Sequence, residues 1–301
     1  MSIDFLYHIP REKVKLSQLE DDLNNRKIQE TVQLLSDADA ILIGGGSGLS
    51  SACGYDYYHN NGFFEQYFSD YRERYGFDTL YSGLSYVYST PEEQWDFISY
   101  YIQLMEREHS GKAYQQLKDL VSDKEYFILT TNVDSQFSKI FPKEKIWAFQ
   151  GDVRYFQCVQ PCHDQVYDNK ITVRKLRKHV KNNAVPSEMI PRCPYCGRQM
   201  KMWIREEGFL EGAMWEQQKE LYYQFLIQNR DKRLVLLELG VGDMTPSIIK
   251  FPFWEMTQYQ KNVSLISINS GETSAPEHIK EKTLQIPMDI ELVFTKIGDL
   301  G

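Results

Sequence analysis

The 301-residue sequence has no apolar run approaching the ~18 residues that cross a bilayer, so a membrane-spanning protein is not expected. Its opening stretch, MSIDFLYHIPREKVKLSQLEDDLNN, lacks the apolar core of a secretory signal, which points to a cytoplasmic location. A basic surplus is also missing. Lys and Arg total 34 against 42 Asp and Glu, a net charge of −8, so neither a nucleic acid nor a membrane surface is an expected partner. Five cysteines are too few for a disulfide-built scaffold, and no internal repeat or low-complexity segment is present. What remains, 42% apolar and 25% charged residues, suits one large globular domain or one carrying an inserted module.

Aromatic residues are abundant: 20 Tyr, 16 Phe and 5 Trp. They suit either an aromatic core or the walls of a cleft. Val14, Leu16, Leu19, Leu23, Ile28, Val32 and Leu35 recur at helical spacing over 11–36. The run Ala40–Ile43 then reads as a strand, Gly44–Gly48 as a turn, and a helix follows. Residues 55–110 are aromatic-rich, poor in β-branched residues, and read as a helical insertion over that turn. From 111 onward helices and apolar strands alternate: a helix to 123, strands near 125–134 and 145–151, a helix near 213–231, strands near 233–242, 263–270 and 283–287, and a helix over 247–260. This rhythm predicts an α/β fold with a Rossmann-like doubly wound parallel sheet. Residues 152–205 interrupt it.

Within that interruption, Cys158 and Cys162 are separated by three residues and Cys193 and Cys196 by two, with thirty residues between the pairs. Two such knuckles supply four thiolates to one tetrahedral ion, which suits a closed, structural zinc site; free buried thiols are the alternative. His163 could substitute as a ligand. Cys53 stands apart and reads as a small buried filler. The turn Gly46-Ser47-Gly48 lets backbone N–H groups approach a phosphate at a helix start, but Ser51 stands where a dehydrogenase fingerprint has its third glycine, so a ligand-free packing loop fits equally well.

Other segments decide between these readings. Gly46-Ser47-Gly48-Leu49-Ser50, followed by Gly54, resembles the G-A-G-x-S loop of the sirtuins, the NAD-consuming protein deacylases and ADP-ribosyltransferases. Thr130-Thr131-Asn132-Val133-Asp134 is similar to their T-Q-N-[IV]-D, Gly240-Val241-Gly242 lies where they have G-T-S, and Ile268-Asn269 matches their later I-N. The cysteine pairs fall between Asp134 and Gly240, as the family's zinc module does. The resemblance spans residues 38–290. It implies NAD as co-substrate and zinc as a structural ion held by Cys158, Cys162, Cys193 and Cys196. It implies cofactor contacts at Gly46, Gly48, Ser50, Asp56, Asn132, Gly240, Gly242 and Asn269, and catalytic roles for Asn132, Asp134 and Gln150.

The departures from the deacylase pattern are specific. Gln150-Gly151 replaces the catalytic His-Gly; Gly54-Tyr55-Asp56-Tyr57 replaces G-I-P-D-F-R; and Met202–Glu207 lacks the substrate-pairing V-x-F-G-E. Together with the tyrosine-rich stretch and Trp95, they resemble the macrodomain-linked, or class M, sirtuins of Gram-positive bacteria and fungi. That resemblance implies protein ADP-ribosyltransfer onto a lipoylated carrier related to glycine-cleavage H protein, with an associated macrodomain hydrolase removing the mark. Gln150 fits this reading, because deacylation needs a general base for its second step and an amide cannot accept a proton usefully. Gln150 could also serve packing alone. A protein deacylase or NAD hydrolase, or an NAD-binding sensor without turnover, are the other functions considered. The expected division is 1–54, 111–151 and 206–301 as the Rossmann-like NAD-binding domain, with a smaller zinc-ribbon and helical domain made of 55–110 and 152–205. Residues 170–181 hold six Lys or Arg and no acid. They read as a solvated face, or as a docking surface for an acidic carrier.

Overall fold

Every residue of Ala40–Gly45 (β1) is buried, and so is every residue of Leu234–Leu239 (β7). Strands buried on both faces belong at the centre of a parallel sheet, and these two pair with each other in parallel, Ala40 opposite Leu234 and Gly45 opposite Leu239. The computed structural model describes residues 11–271 and 275–300. Glu125–Thr130 (β2) and Ile146–Ala148 (β3) extend the sheet on the far side of β1, and Val263–Ile268 (β8) and Thr283–Ile286 (β9) extend it beyond β7. The resulting order, β3-β2-β1-β7-β8-β9, is parallel throughout. This is the doubly wound Rossmann order, reversing direction between β1 and β7, where ligands settle in such sheets.

Helices cover both faces. Arg11–Asp37 (α1), Lys112–Leu120 (α6), Gln136–Ile140 (α7) and Ile290–Gly298 (α11) lie on one side, with a core that includes Ile41, Ile43, Leu117, Leu237 and Phe294. Ala213–Asn229 (α9) and Lys250–Tyr259 (α10) lie on the other, over Leu42, Phe127, Leu236 and Leu265. Ile28 and Leu35 of α1 are buried as its spacing predicts, but Leu23 is exposed. Val14, Leu16 and Leu19 lie outside the residues whose side chains are described.

Between β1 and α6 come the short helix Ser47–Ala52 (α2) and three helices of the aromatic stretch, Gly62–Tyr75 (α3), Leu80–Leu84 (α4) and Pro91–Arg107 (α5). Asn61, Thr79 and Thr90 cap them by accepting a backbone N–H. Between β3 and α9, Gly151–Cys158 (β4), Tyr167–Asp168 (β5) and Met200–Ile204 (β6) form a second, antiparallel sheet of order β5-β4-β6, and Lys170–His179 (α8) packs against α5. The aromatic helices and this sheet share one core: Phe64, Phe68, Trp95 and Phe97 pack with Phe156, Val173 and Met202. The basic segment that reads as an exposed run is therefore an amphipathic helix, with Val173 and Leu176 fully buried beneath its charges. No helix among the described residues is long and apolar enough to cross a membrane.

Candidate functional site

The site builds up where the chain leaves β1 and β7. Gly240 has a left-handed φ of +60°, turning the loop after β7 back across the loop after β1. The Gly48 N–H donates to the Gly240 carbonyl at 2.9 Å. A Cβ on Gly46 would stand 2.5 Å from the Gly240 oxygen, and one on Gly48 would stand 2.7 Å from the Gly240 Cα. These glycines are thus required for backbone to pass backbone. Gly242, one residue beyond the crossing, is exposed, with nothing within 4 Å of its Cβ direction. Helix α2 starts at this crossing and has no side-chain cap.

β2 ends beside the same loop. Thr130 Oγ1 donates to the Gly45 carbonyl at 2.9 Å and accepts the Asn132 N–H at 3.0 Å. Asn132 is thereby turned inward, its Nδ2 donating to the Gly46 carbonyl (2.9 Å) and to Ser50 Oγ (3.1 Å). Ser50 Oγ donates to Asp134 Oδ2 at 2.5 Å and lies 2.9 Å from the Tyr114 hydroxyl. Asp134 Oδ1 accepts the Gln136 N–H at 3.0 Å. Asp134 is 1% exposed, and burial raises its pKa despite the hydrogen bonds from Ser50 and Gln136. Ser135, in the left-handed region at φ 65°, carries the chain out of this knot, and its hydroxyl donates to Asp152 at the start of β4. Three loops distant in sequence are therefore tied by one polar network around Ser50, Asn132 and Asp134.

The other expected site residues lie around this network. Gln150 is half-buried between β3 and β4; its carbonyl accepts the Arg205 N–H at 2.9 Å, and its side chain bonds to no described residue. Asp56 does not join the network: its Oδ1 accepts the Tyr58 and His59 N–H groups at 2.9 and 3.0 Å, making a local turn. Asn269 follows β8 and its N–H donates to Ile286 at 3.2 Å. Tyr57 stands in the segment that departs from G-I-P-D-F-R, and Tyr114 and Tyr101 carry no motif. Tyr114 reaches Ser50 and Asn132 from α6, and the Tyr57 and Tyr101 hydroxyls bond to each other. Burial holds all three phenols well above the ordinary tyrosine range. Nothing in local spacing marks them among 20 tyrosines. Glu238, 4% exposed in β7, also escaped the sequence reading; Ser267 Oγ donates to its Oε1 at 2.8 Å.

Cys158 closes β4, Cys162 follows in the loop, and Cys193 and Cys196 precede β6. Their four sulfurs lie within 4.8 Å of one another, and two of the separations, Cys158 to Cys196 and Cys162 to Cys193, are 3.6 Å. A tetrahedron with Zn–S bonds of about 2.3 Å has edges of about 3.8 Å, so the four thiols fit a closed zinc site. His163 stands beside them, with Nδ1 3.2 Å from Cys162 Sγ and the ring stacked on Tyr195. Cys53 packs against Gly111, and burial pushes its thiol up to about 11, as a filler rather than a nucleophile.

No family model matches the chain. It is 34% identical over 265 residues to the "Protein ADP-ribosyltransferase" of Staphylococcus aureus, spanning 87% of this chain and 84% of that protein. It is 27% identical over 248 residues to a Fusarium oxysporum f. sp. cubense protein named "Probable bifunctional ADP-ribose hydrolase/ADP-ribosyltransferase", covering 79% of this chain but 41% of that longer protein. A structure reported under "The Structural basis of Sirtuin Substrate Affinity" superposes with a TM-score of 0.59 at 19% identity, over 90% of this chain and 98% of that one. A Sir2 homologue in complex with NAD gives 0.54 at 13% identity, over 90% and 93%. The sheet order, the four-cysteine cluster and the shared sequence meet in one conclusion: the chain has the fold of the sirtuins and belongs to the family of the Staphylococcus aureus protein ADP-ribosyltransferase.

Proposed function

We propose that the chain is an NAD-dependent protein mono-ADP-ribosyltransferase whose acceptor is a lipoylated carrier protein related to glycine-cleavage H protein. The observation that carries this reading is the network joining Asn132, Ser50 and Asp134 at the sheet's switch point, with glutamine instead of histidine at position 150. NAD would be held by the loops of Gly46, Gly48 and Ser50 and of Gly240 and Gly242, with Asp56 and Asn269 at the margins, and supplies an anomeric carbon bearing a cationic leaving group. Zinc would be held by Cys158, Cys162, Cys193 and Cys196 as a structural ion.

Each residue's role follows from what its atoms are free to do. Asn132 spends its Nδ2 on Gly46 and Ser50, which fixes the amide plane and leaves Oδ1 available to orient a ribose hydroxyl. The buried Asp134 carboxylate, little screened, stabilises positive charge developing nearby. Gln150 can hydrogen-bond a hydroxyl but cannot take its proton. No histidine side chain among the described residues bonds to Asn132, Asp134 or Gln150, so the arrangement supports transfer rather than the base-dependent second step of deacylation. Support for the carrier comes from the resemblance to the bacterial class M sirtuins and from Lys175, Lys178 and Lys181, which are exposed and form no ion pair among the described residues. Support for an opposing hydrolase comes from the Fusarium relative's double name. We also read the chain as the two domains outlined from the sequence; the core shared by the aromatic helices and the zinc-bearing sheet favours that division.

The test is incubation with labelled NAD, a lipoylated carrier and an acetyl-lysine peptide, followed by mass spectrometry. We expect ADP-ribose on the carrier, an intact acetyl group on the peptide, and loss of transfer in Asn132→Ala with only modest loss of NAD affinity. Efficient deacetylation with no label on any acceptor would overturn the reading.

A further inference from the structure

On the outer side of edge strand β3, away from the glycine loops, lies a cleft of 290 Å³ between β4 and α9. Its polar wall is unusual. Lys143 Nζ donates to the Tyr155 hydroxyl at 2.9 Å, and Arg154 donates to the same oxygen at 3.3 Å. Two cations on one phenol oxygen repel each other, and they occupy its lone pairs, so the phenol's own proton is left to seek another acceptor. Arg154 Nε is buried and has no hydrogen-bond partner among the described residues. Lys143 has no carboxylate within 4.0 Å among the described residues. The nearest carboxylate to Arg154, Asp152 at 3.8 Å, is already engaged by the Ser135 and Ser138 hydroxyls and by the Arg154 N–H. Glu144 at the rim pairs with neither cation. Lys143 thus stands at the cleft without an ion pair among the described residues, and Arg154 has only the 3.8 Å pairing with Asp152.

Ser138, Glu144, Asp152, Gln217 and Gln218 also line the cleft, and the remaining surface is apolar. Trp203, fully buried, stands edge-on to Tyr155, and Ile146, Met214 and Leu221 complete the surface. The exposed edge of β3 does not compete for a ligand here, because the Gln218 side chain accepts the Ala148 N–H at 3.1 Å. The volume sits at the small end of ligand pockets, which run from about 300 Å³ upward. We propose that this cleft is a binding site for a small organic anion, a carboxylate head on a short aliphatic or aromatic body, with the head on Lys143, Arg154 and Tyr155 and the body on Met214 and Leu221. The site is separate from the transfer chemistry and does not depend on that reading, although Ser138 and Asp152 line both this cleft and the hollow beneath Asn132 and Asp134.

The experiment is titration of the full chain with hexanoate, benzoate and inorganic phosphate, followed by ligand-observed NMR and calorimetry. We expect saturable binding of hexanoate or benzoate, tighter than phosphate, and weakened at least tenfold in Lys143→Gln and in Arg154→Gln. Lys143 is exposed, so Lys143→Gln keeps the test sound should Arg154→Gln fail to fold. No saturable binding of any probe, phosphate binding tighter than both carboxylates, or unchanged carboxylate affinity in Lys143→Gln would each overturn the proposal.

Discussion

Asp134 is the residue where burial and chemistry oppose each other most directly. Desolvation raises its pKa above the ordinary carboxylate value of 3.8. Between those two values the folded protein holds a proton that the unfolded chain has released, so stability falls as pH rises through that window and remains reduced at neutral pH. Asparagine would keep the acceptor for the Gln136 N–H and place an amide group against Ser50. Asp134→Asn should therefore melt at the same temperature as the parent protein or higher at pH 7, an advantage that shrinks as pH is lowered toward 4. Transfer should drop by about 10²–10³ because the developing cation loses its carboxylate. Thermal melts across pH, run beside a transfer assay, separate the two effects; a large loss of stability at pH 7 would show that the charge holds the fold. Asn132, Asp134 and Gln150 are legible in the sequence because they sit in short motifs at strand ends. Tyr114 is not, because its place beside Ser50 depends on how α6 docks, a contact 64 residues away in the chain.

At the scale of elements, α8 shows how a charge run divides its labour. Arg177 bonds the buried Asp96 carboxylate at 2.6 Å, and Lys170 and Arg174 both reach Glu106. Lys175, Lys178 and Lys181 are exposed and form no ion pair among the described residues. Removing Arg177 leaves the buried Asp96 charge with only the neutral Tyr71 hydroxyl at 2.9 Å and a distant Arg74 at 3.9 Å, so Arg177→Ala should cost about 3 kcal/mol. Lys175→Glu with Lys178→Glu should leave the denaturation midpoint unchanged yet slow carrier modification at low salt, with NAD affinity spared. Unchanged transfer at low salt would make α8 a structural strut alone. The zinc-bearing sheet carries the complementary expectation. Cys193 is 2% exposed, and Cys193→Ser should lower the melting temperature and the bound zinc before it affects turnover of the folded fraction. Metal analysis showing no zinc in a stable, active protein would end that assignment. The parallel strands and most helices are legible as apolar runs and helical spacings. α11 also has a signal in the sequence, an Asp289 cap followed by Ile290, Val293, Phe294 and Ile297 at helical spacing. The pairing of β4 with β6 could not be read, since it joins segments some forty residues apart with no turn between them to set the register.

For the whole molecule, the crossing of the two glycine loops sets what substitution there can report. Gly46→Val places atoms where the Gly240 and Val241 backbone already stands, so it should lose NAD binding together with stability, and the loss cannot be credited to the ligand alone. Gly242→Ala meets nothing within 4 Å and should leave the melt unchanged while weakening NAD at least severalfold if the loop contacts the dinucleotide. Calorimetry on both variants distinguishes the two; full NAD affinity in Gly242→Ala would remove that residue from the site.

The same crossing has a consequence for how the chain comes into being. β1 is among the first strands to leave the ribosome, yet it lies between β2 and β7, and the loop that follows it is held by Gly240, synthesised nearly two hundred residues later. Until residues 234–240 emerge, one edge of β1, an apolar strand with no charged residue, has no partner. Such an edge invites pairing with other chains. A nascent chain halted before Leu239 should thus be both unable to bind NAD and prone to aggregate, and its dependence on chaperones should end abruptly once β7 is delivered.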